Sequence, residues 1–350
     1  METRTDARVR VEGRVGRITL TRPQALNAVN QTIVNTMTEA LLDWADDDAI
    51  GLVLVDAEGE KAFSAGGDLA YIYQHAKAGD TRTPNRFWRD EYRLNALISR
   101  YPKPYVAMMD GIVMGGGVGI SAHGTHRIVT DGSMVAMPEC SVGLVTDVGG
   151  SWLLARAPGQ IGAYLGLTGY RMTGEDAIHA GFADVYVHRA RLDSLKTALV
   201  STGDVSAVDH FRAPPPPSSL AARQQIIDAT FSASTLSEII DRLRADASNF
   251  ANGSIDAISK GSPLSALMIL STIRDATSIE IALRNEYRFV SRVLEHGDFL
   301  EGIRAIVIDK DRKPVWRHKD IASVPAELVA TMRREAEGGD LDLMKWENAR

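Results

Sequence analysis

Three consecutive glycines, Gly115, Gly116 and Gly117, constrain the fold of this chain more than any other feature of its sequence. They follow the apolar run at 105–109, which predicts a buried strand, and they precede small residues at 118–122 that favour the start of a helix. Glycines at such a junction let backbone N–H groups approach a ligand closely, and the helix N-terminus adds a positive dipole end. The stretch therefore predicts a strand, a tight turn and a helix with a ligand at the turn.

A second glycine turn, F-S-A-G-G-D at 63–68, follows another apolar run at 51–55. Two such turns can aim two backbone N–H groups at one carbonyl oxygen, which would form an oxyanion hole. Tight turns without a ligand are common, so the glycines alone favour a purely structural role. The choice between these interpretations depends on the acidic residues elsewhere in the chain.

Two acidic residues, Glu139 and Asp147, lie in Gly- and Pro-containing segments flanked by apolar residues. An acid in such surroundings is either a solvated loop residue or a buried residue with a catalytic or binding role. We expect the second for both Glu139 and Asp147. Glu91, in the segment W-R-D-E-Y, has the character of a solvated helix acid. That interpretation holds for Glu91 unless another observation places it in a pocket.

Residues Gly117 to Ala122 also match the dinucleotide fingerprint G-x-G-x-x-A, and Asp131 ends the next predicted strand. In dinucleotide-binding folds the fingerprint begins directly at the end of a strand, whereas residues 110–114 intervene here. The match is weak, and a dinucleotide-dependent oxidoreductase is the function that it leaves open.

Other reactive side chains have ordinary interpretations. His123 and His126 have no third ligand nearby, so they are better interpreted as packed or surface histidines, and no metal site is predicted. A lone cysteine such as Cys140 is more often a small buried residue than a nucleophile. The basic segment 310–313, close to Trp316, could meet a phosphate and stack a base, although a solvated tail is the default.

Composition limits the classes of partner. The 350 residues are 45% hydrophobic, so the chain can bury a large core, and a net charge of -6 argues against nucleic acid as the main partner. One cysteine fits a reducing compartment, residues 1–14 lack the pattern of a secretory or mitochondrial leader, and no apolar stretch reaches membrane-spanning length. We expect a soluble, cytoplasmic protein with no membrane partner, and its oligomeric state, a homo-oligomer included, stays open.

The order of predicted elements favours an α/β fold followed by helices. A strand at 15–20, a helix at 31–44 capped by Asn30, and a strand at 51–55 imply parallel pairing with a right-handed crossover. The polar segment 77–84 predicts a mobile loop before a helix at 87–99. Four prolines within 213–219 indicate a stiff connection. The predicted organisation is an α/β core at 1–212, this Pro-rich connection, and a mainly helical region at 220–350.

The chain resembles the crotonase, or enoyl-CoA hydratase/isomerase, superfamily in three motifs: F-S-A-G-G-D (63–68), M-D-G-I-V-M-G-G-G-V-G (109–119) and A-M-P-E (136–139). Within it, the segments at 91–95, 115–124, 137–150 and 301–316 are most similar to the branch of 3-hydroxyisobutyryl-CoA hydrolases. The resemblance runs from about Val15 to Trp316, and its several ordered motifs make it specific. It implies a crotonase-type spiral of ββα units.

The resemblance also implies roles for individual residues. Backbone N–H groups of Gly67 and Gly116 would polarise an acyl-CoA thioester carbonyl. Glu139 aligns with the catalytic glutamate of the family and Asp147 with the second acid of the hydrolase branch. Glu91 and Gly116 align with positions that contact the substrate. Glu139 and Asp147 are thus the predicted catalytic residues. The residues predicted to bind substrate are Glu91, Gly116, Glu139 and Asp147.

The activity implied is hydrolysis of a short β-hydroxyacyl-CoA, 3-hydroxyisobutyryl-CoA in the first place, as in valine breakdown. The partner is then an acyl-CoA, and no cofactor is needed because CoA is part of the substrate. A hydratase/isomerase on the same fold and a non-catalytic acyl-CoA-binding protein are the alternatives. Two departures from the commonest pattern are Ser64, where many members have Cys, and Val145-Thr146, where Phe-Pro is usual. The second lies by the expected acyl pocket.

Overall fold

The computed structural model of the chain describes residues 6–337 and 339–344 and arranges their strands in two sheets. The larger sheet has the spatial order β1-β2-β3-β5-β7-β9, and the smaller has the order β4-β6-β8. All pairs are parallel except the antiparallel β1 and β2. The strands are β1 (Ala7–Glu12), β2 (Val15–Leu20), β3 (Leu52–Ala57), β4 (Ala62–Ser64), β5 (Tyr105–Met109), β6 (Ile112–Met114), β7 (His126–Val129), β8 (Met134–Ala136) and β9 (Val185–Tyr186).

From β3 onward, consecutive strands alternate between the two sheets, which makes the chain a spiral. The first strand of each of the pairs β3/β4, β5/β6 and β7/β8 joins the larger sheet, and the second joins the smaller. Helices follow β4 and β6 directly. The expected spiral of ββα units is therefore confirmed. The sequence did not predict β1, β4 or β6, and it assigned β4 to a glycine turn.

Helices make up most of the remainder. They are α1 (Gln31–Ala45), α2 (Leu69–Lys77), α3 (Arg82–Ser99), α4 (Gly116–Gly119), α5 (Gly150–Ala155), α6 (Ile161–Thr168), α7 (Gly174–His179), α8 (Leu192–Thr202), α9 (Ser219–Phe231), α10 (Leu236–Asp246), α11 (Asn249–Lys260), α12 (Pro263–Asp275), α13 (Ile279–His296), α14 (Phe299–Ile303) and α15 (Ala326–Arg333). A π-helical turn, Arg304–Ile308, continues α14. Over the described residues, none of these helices has the length and apolar character needed to cross a bilayer.

Local sequence explains where several helices begin. The Asn30 side chain accepts a hydrogen bond from the Ile33 N–H and caps α1, as predicted. Ser218 caps α9 in the same way, directly after the prolines. The expected mobile loop at 77–84 is wrong in its last part, because α3 already begins at Arg82. Pro84 lies in the first turn of α3, where a missing N–H costs the helix no internal hydrogen bond.

The central strands of the larger sheet are buried on both faces. Along β3, Val53 and Val55 belong to the main apolar core, while Leu52 and Leu54 point to the opposite face and pack with the cluster that includes α8. The main core continues through the C-terminal helices, where α13 packs along α3 and α5. The helical region therefore helps to build the interior beside the glycine turns. The predicted boundaries at 212 and 220 stay a prediction.

Candidate active site

The two glycine turns predicted from sequence lie against each other. A Cβ placed on Gly116 would be 3.3 Å from the backbone nitrogen of Gly67, so the two predicted amide donors are neighbours. Gly66 has φ +114° and Gly115 has φ +46°, and both conformations favour glycine. Gly116 is the first residue of α4, where backbone N–H groups precede the helical hydrogen-bond ladder. An oxyanion hole requires two amide donors close together, so the neighbouring amides of Gly67 and Gly116 are candidates for one.

Two carboxyl groups flank this pair of turns. A Cβ on Gly116 would lie 2.7 Å from Glu91 Oε1, and a Cβ on Gly115 would lie 3.0 Å from Glu139 Oε1. Glu91 comes from α3, and Glu139 begins the 3₁₀ turn Glu139–Val142. Side chains at either glycine would displace these carboxyls. Gly115 and Gly116 thus leave room for the two acids to approach the backbone.

Glycines and acids together line one small cavity of about 90 Å³. Its walls are otherwise apolar. The lining residues are Ala65, Gly66, Gly67, Leu69, Ile72, Phe87, Trp88, Glu91, Met114, Gly115, Gly116, Pro138, Glu139, Val142, Leu144, Asp147 and Phe299.

All five predicted site residues lie on this cavity: Gly67, Glu91, Gly116, Glu139 and Asp147. For Glu91 the alternative of a solvated helix acid is wrong, since its side chain is only 2% exposed. It lies four residues after Phe87 on α3, and both face the cavity. Val145 and Thr146 are buried but are not among the lining residues, so this departure from the family pattern lies behind the pocket wall.

Burial dominates the electrostatics of the three acids. It raises the pKa of Glu91 and of Glu139 well above the ordinary value, and the charge of Asp147 raises both pKa values further. Burial also raises the pKa of Asp147, to about 7. Among the described residues, Glu91 Oε1 and Glu139 Oε2 are buried without a hydrogen-bond partner. Buried polar atoms of this kind are costly unless a ligand or water satisfies them, so they favour a binding function for the cavity.

Asp147 is held by a residue that sequence reasoning missed. The Tyr92 hydroxyl donates a hydrogen bond to Asp147 Oδ2 over 3.1 Å. From the sequence, Tyr92 was only one residue of the predicted helix at 87–99, and its position next to Glu91 was the available signal. A buried tyrosine hydroxyl normally finds a partner, and here the partner is a candidate catalytic acid.

The other reactive side chains have the ordinary roles expected of them. The ring of His123 donates from Nε2 to the Val148 carbonyl at 2.7 Å, and burial lowers its pKa to about 4. Burial raises the pKa of Cys140 to about 12, so its thiol is a buried core group. The glycines of the dinucleotide fingerprint are packed inside: a Cβ on Gly117 would lie 2.4 Å from the Ser64 carbonyl oxygen. This close approach to β4 explains the glycine at position 117 by packing alone.

A model of a known protein family, enoyl-CoA hydratase/isomerase, matches residues 15–332. The chain belongs to this family. The matched segment contains every residue of the cavity, so the glycine turns and the acids lie within the family's common structure. The expected superfamily is confirmed.

Relatives within the family share most of the chain. The 3-hydroxyisobutyryl-CoA hydrolase of Gallus gallus is 36% identical over 355 residues, covering 98% of this chain and 92% of the relative. The hydrolase of Danio rerio is 37% identical and covers 95% of this chain and 90% of its own length. Both are named as mitochondrial, so these relatives do not support the expected cytoplasmic location, which stays a prediction.

Solved structures of the family have the same fold at closer identity. An enoyl-CoA hydratase from Rhodobacter sphaeroides 2.4.1 superposes with a TM-score of 0.92 at 45% identity, over 96% of this chain and 99% of that one. A carnitinyl-CoA dehydratase from Mycobacterium thermoresistibile also has a TM-score of 0.92, at 42% identity over 96% and 98% of the two chains. The crotonase-type architecture therefore holds along nearly the whole chain, the helical region included.

Proposed function

We propose that this protein hydrolyses the thioester of a short β-hydroxyacyl-CoA, and that 3-hydroxyisobutyryl-CoA is its substrate, giving 3-hydroxyisobutyrate and CoA. One observation carries the proposal: Glu139 and Asp147 converge on a small cavity beside the paired amides of Gly67 and Gly116. The hydrolase relatives support the choice of substrate. Breakdown of valine is the pathway that this reaction would serve.

In the proposed reaction, the Gly67 and Gly116 N–H groups donate to the thioester oxygen as negative charge develops on it. Glu139 either attacks the carbonyl carbon, which expels the CoA thiolate and leaves a mixed anhydride for water to cleave, or removes a proton from a water that attacks that carbon as the C–S bond breaks. On either route the CoA thiolate leaves and takes up a proton. The raised pKa of Glu139 makes its carboxylate a stronger base once it is ionised. Asp147 binds the β-hydroxyl and orients water, and Glu91 contacts the substrate from the other side of the glycine triplet.

The main alternative is a hydratase on the same fold, and the solved structures named above favour it. Hydration of a conjugated double bond is best served by two facing acids, and in typical hydratases of the family the first lies two residues after the glycine triplet. Here that position is Gly119. A Cβ on Gly119 would lie 2.7 Å from Val148 Cβ and 2.8 Å from Asn95 Nδ2, so the position has no room for a carboxylate. This packing favours hydrolysis. The alternative is that another carboxylate of the cavity, Glu91, replaces the missing acid and hydration persists.

Thiol release from a panel of acyl-CoAs, with products identified by mass, tests the proposal. We expect rapid release of free CoA from 3-hydroxyisobutyryl-CoA and little loss of enoyl absorbance with crotonyl-CoA. Rapid enoyl loss without CoA release would make the protein a hydratase. Tight binding of acyl-CoA with neither reaction would make it a binding protein.

Asp147→Asn separates two roles of the second acid in the same assay. If Asp147 only orients water and the β-hydroxyl, the amide keeps part of that function and turnover falls less than it does for Glu139→Gln. If Asp147 transfers a proton, the two variants lose turnover to the same degree.

The expectations about ligand class, cofactor and oligomeric state are also proposals. We propose that the protein binds CoA compounds and no dinucleotide, and that it needs no metal or other cofactor. Calorimetric titration with CoA, acyl-CoA and NADH tests the first part, and tight binding of NADH alone would overturn it. Activity that survives prolonged chelation supports the second. Light scattering on the purified protein decides whether it is a homo-oligomer.

A further inference from the structure

Another buried acid, Glu286, lies on α13 next to the segment that carries Asp147. Its two oxygens accept hydrogen bonds from the Gly149 N–H at 2.7 Å, from the Ser151 N–H at 3.0 Å and from the Ser151 hydroxyl. The side chain is fully buried, on a helix face otherwise formed by apolar residues such as Leu283 and Val290. The carboxyl is therefore directed at a single turn of backbone, residues 147–151.

Keeping a carboxyl at this place is energetically unfavourable by itself. Burial raises the pKa of Glu286 to about 8, and the Ser151 and Gly149 donors act in the opposite direction. Apolar side chains of similar volume would fill the same space without this cost. A buried acid whose two oxygens accept hydrogen bonds from one turn stabilises the conformation of that turn.

The turn itself has a backbone that needs support. Val148 has φ +55°, a conformation that is rare and strained for a β-branched residue. His123 holds the Val148 carbonyl from one side, and Glu286 holds the next N–H group from the other. Within the turn, the Gly150 N–H donates to the Asp147 carbonyl at 2.7 Å. The strained residue thus lies between two fixed groups, directly after Asp147.

We infer that Glu286 is a positioning residue, which holds Asp147 at the cavity by accepting hydrogen bonds from Gly149 and Ser151. This inference rests on the proposed function of Asp147. Without the acceptor, the first turn of α5 loses its cap and the strain at Val148 can relax, which moves the Asp147 carboxyl. Misplacement of a catalytic group by about 1 Å can lower a rate about 100-fold.

Glu286→Gln tests the inference, since it keeps the volume but presents an NH₂ group to one of the donors. We expect kcat for thioester hydrolysis to fall about 10- to 100-fold with KM changed less than threefold. The decisive measurement is a double-mutant cycle with Asp147→Asn. If Glu286 acts through Asp147, Glu286→Gln lowers kcat little further in the Asp147→Asn background. If the kcat losses of the two single variants multiply in the double variant, the inference is wrong. A kcat of Glu286→Gln within twofold of the wild-type value would also overturn it.

Asp176→Asn is the matched control. Asp176 is also a fully buried carboxyl, and it accepts hydrogen bonds from the Leu220 N–H and from the hydroxyls of Ser218 and Ser219. It does not line the cavity. Its amide variant should lower stability while leaving kcat unchanged, which separates general destabilisation from positioning. If Glu286→Gln does not fold, Ser151→Ala, which removes one hydroxyl donor, should give a smaller kcat loss that also disappears in the Asp147→Asn background.

A second measurement does not depend on turnover. Hydrogen exchange of the backbone amides at 149–151 should be faster in Glu286→Gln than in the wild type and unchanged in Asp176→Asn. Unchanged exchange in Glu286→Gln would refute the inference. Absence of CoA release from the wild type, in contrast, would refute the proposed function while the exchange result still reports on the turn.

Discussion

The Tyr92 hydroxyl and the Asp147 carboxylate form a buried hydrogen bond of 3.1 Å between α3 and the turn before α5. This bond lowers the pKa of Asp147, while burial, the larger effect, raises it to about 7. Ionisation of Asp147 in turn raises the pKa values of Glu91 and Glu139. The Tyr92 hydroxyl thus influences the charge of all three acids in the cavity.

Tyr92→Phe should shift the acidic limb of the kcat/KM profile to higher pH. Loss of the donor removes an effect that lowers the pKa of Asp147, so the carboxylate forms only at higher pH. The measurement is kcat/KM for CoA release between pH 5 and 9, roughly the range around that pKa. Tyr101→Phe is the control, because its hydroxyl donates to the Leu41 carbonyl. An unshifted limb in Tyr92→Phe would contradict the assigned role of the bond.

Asp147→Asn should stabilise the protein, and more so at high pH. The folded pKa of Asp147, about 7, lies above its unfolded value, so the folded state binds more protons between about pH 4 and 7 and the wild type loses stability as pH rises through that window. The amide removes a penalty on the order of 4 kcal/mol at pH 8 and much less at pH 5. Urea unfolding at both pH values measures the difference.

Asp193→Asn provides the comparison for that experiment. The Asp193 side chain is 99% exposed, so its amide variant should show the same stability difference from the wild type at both pH values. An Asp147→Asn variant that behaved like Asp193→Asn would show that Asp147 is ionised at no cost in the folded protein.

Glu139→Gln should reduce kcat by about 100-fold or more while KM changes little. The amide keeps the volume of the side chain but can act neither as a nucleophile nor as a base. Steady-state CoA release gives both constants. Glu295→Gln, at a side chain that is 80% exposed, should behave as the wild type. Near-normal turnover by Glu139→Gln would remove Glu139 from the mechanism.

Gly119→Ala should destabilise the protein by about 1–3 kcal/mol, because its Cβ would overlap Val148 and Asn95. The same substitution at Gly253, within α11 and with open space at the Cβ position, should stabilise by about 0.5–1 kcal/mol. Thermal or urea unfolding compares the two. A tolerated Gly119→Ala would reopen the possibility of an acid at this position and weaken the case against hydration.

The elements predicted correctly are those that a short, continuous stretch of the sequence specifies. The strands at 15–20 and 105–109 have the predicted bounds, since short apolar runs between polar turns specify a buried strand locally. The strands β4 and β6 were missed because each has three residues, too few to show a pattern, and each is held by parallel hydrogen bonds to a distant strand.

The two glycine turns can be predicted from the sequence, because only glycine accommodates their backbone. Glu139 and Asp147 can be selected as candidate site residues because apolar residues surround them in the sequence. Only the tertiary structure decided what each acid faces. Helical spacing indicates that one side of α3 is buried, but it does not specify that Glu91 meets Gly116 and Tyr92 meets Asp147, 55 residues away. Glu286 reaches Gly149 across 137 residues. Such pairs form where separately folded elements pack, and no local pattern encodes the partner.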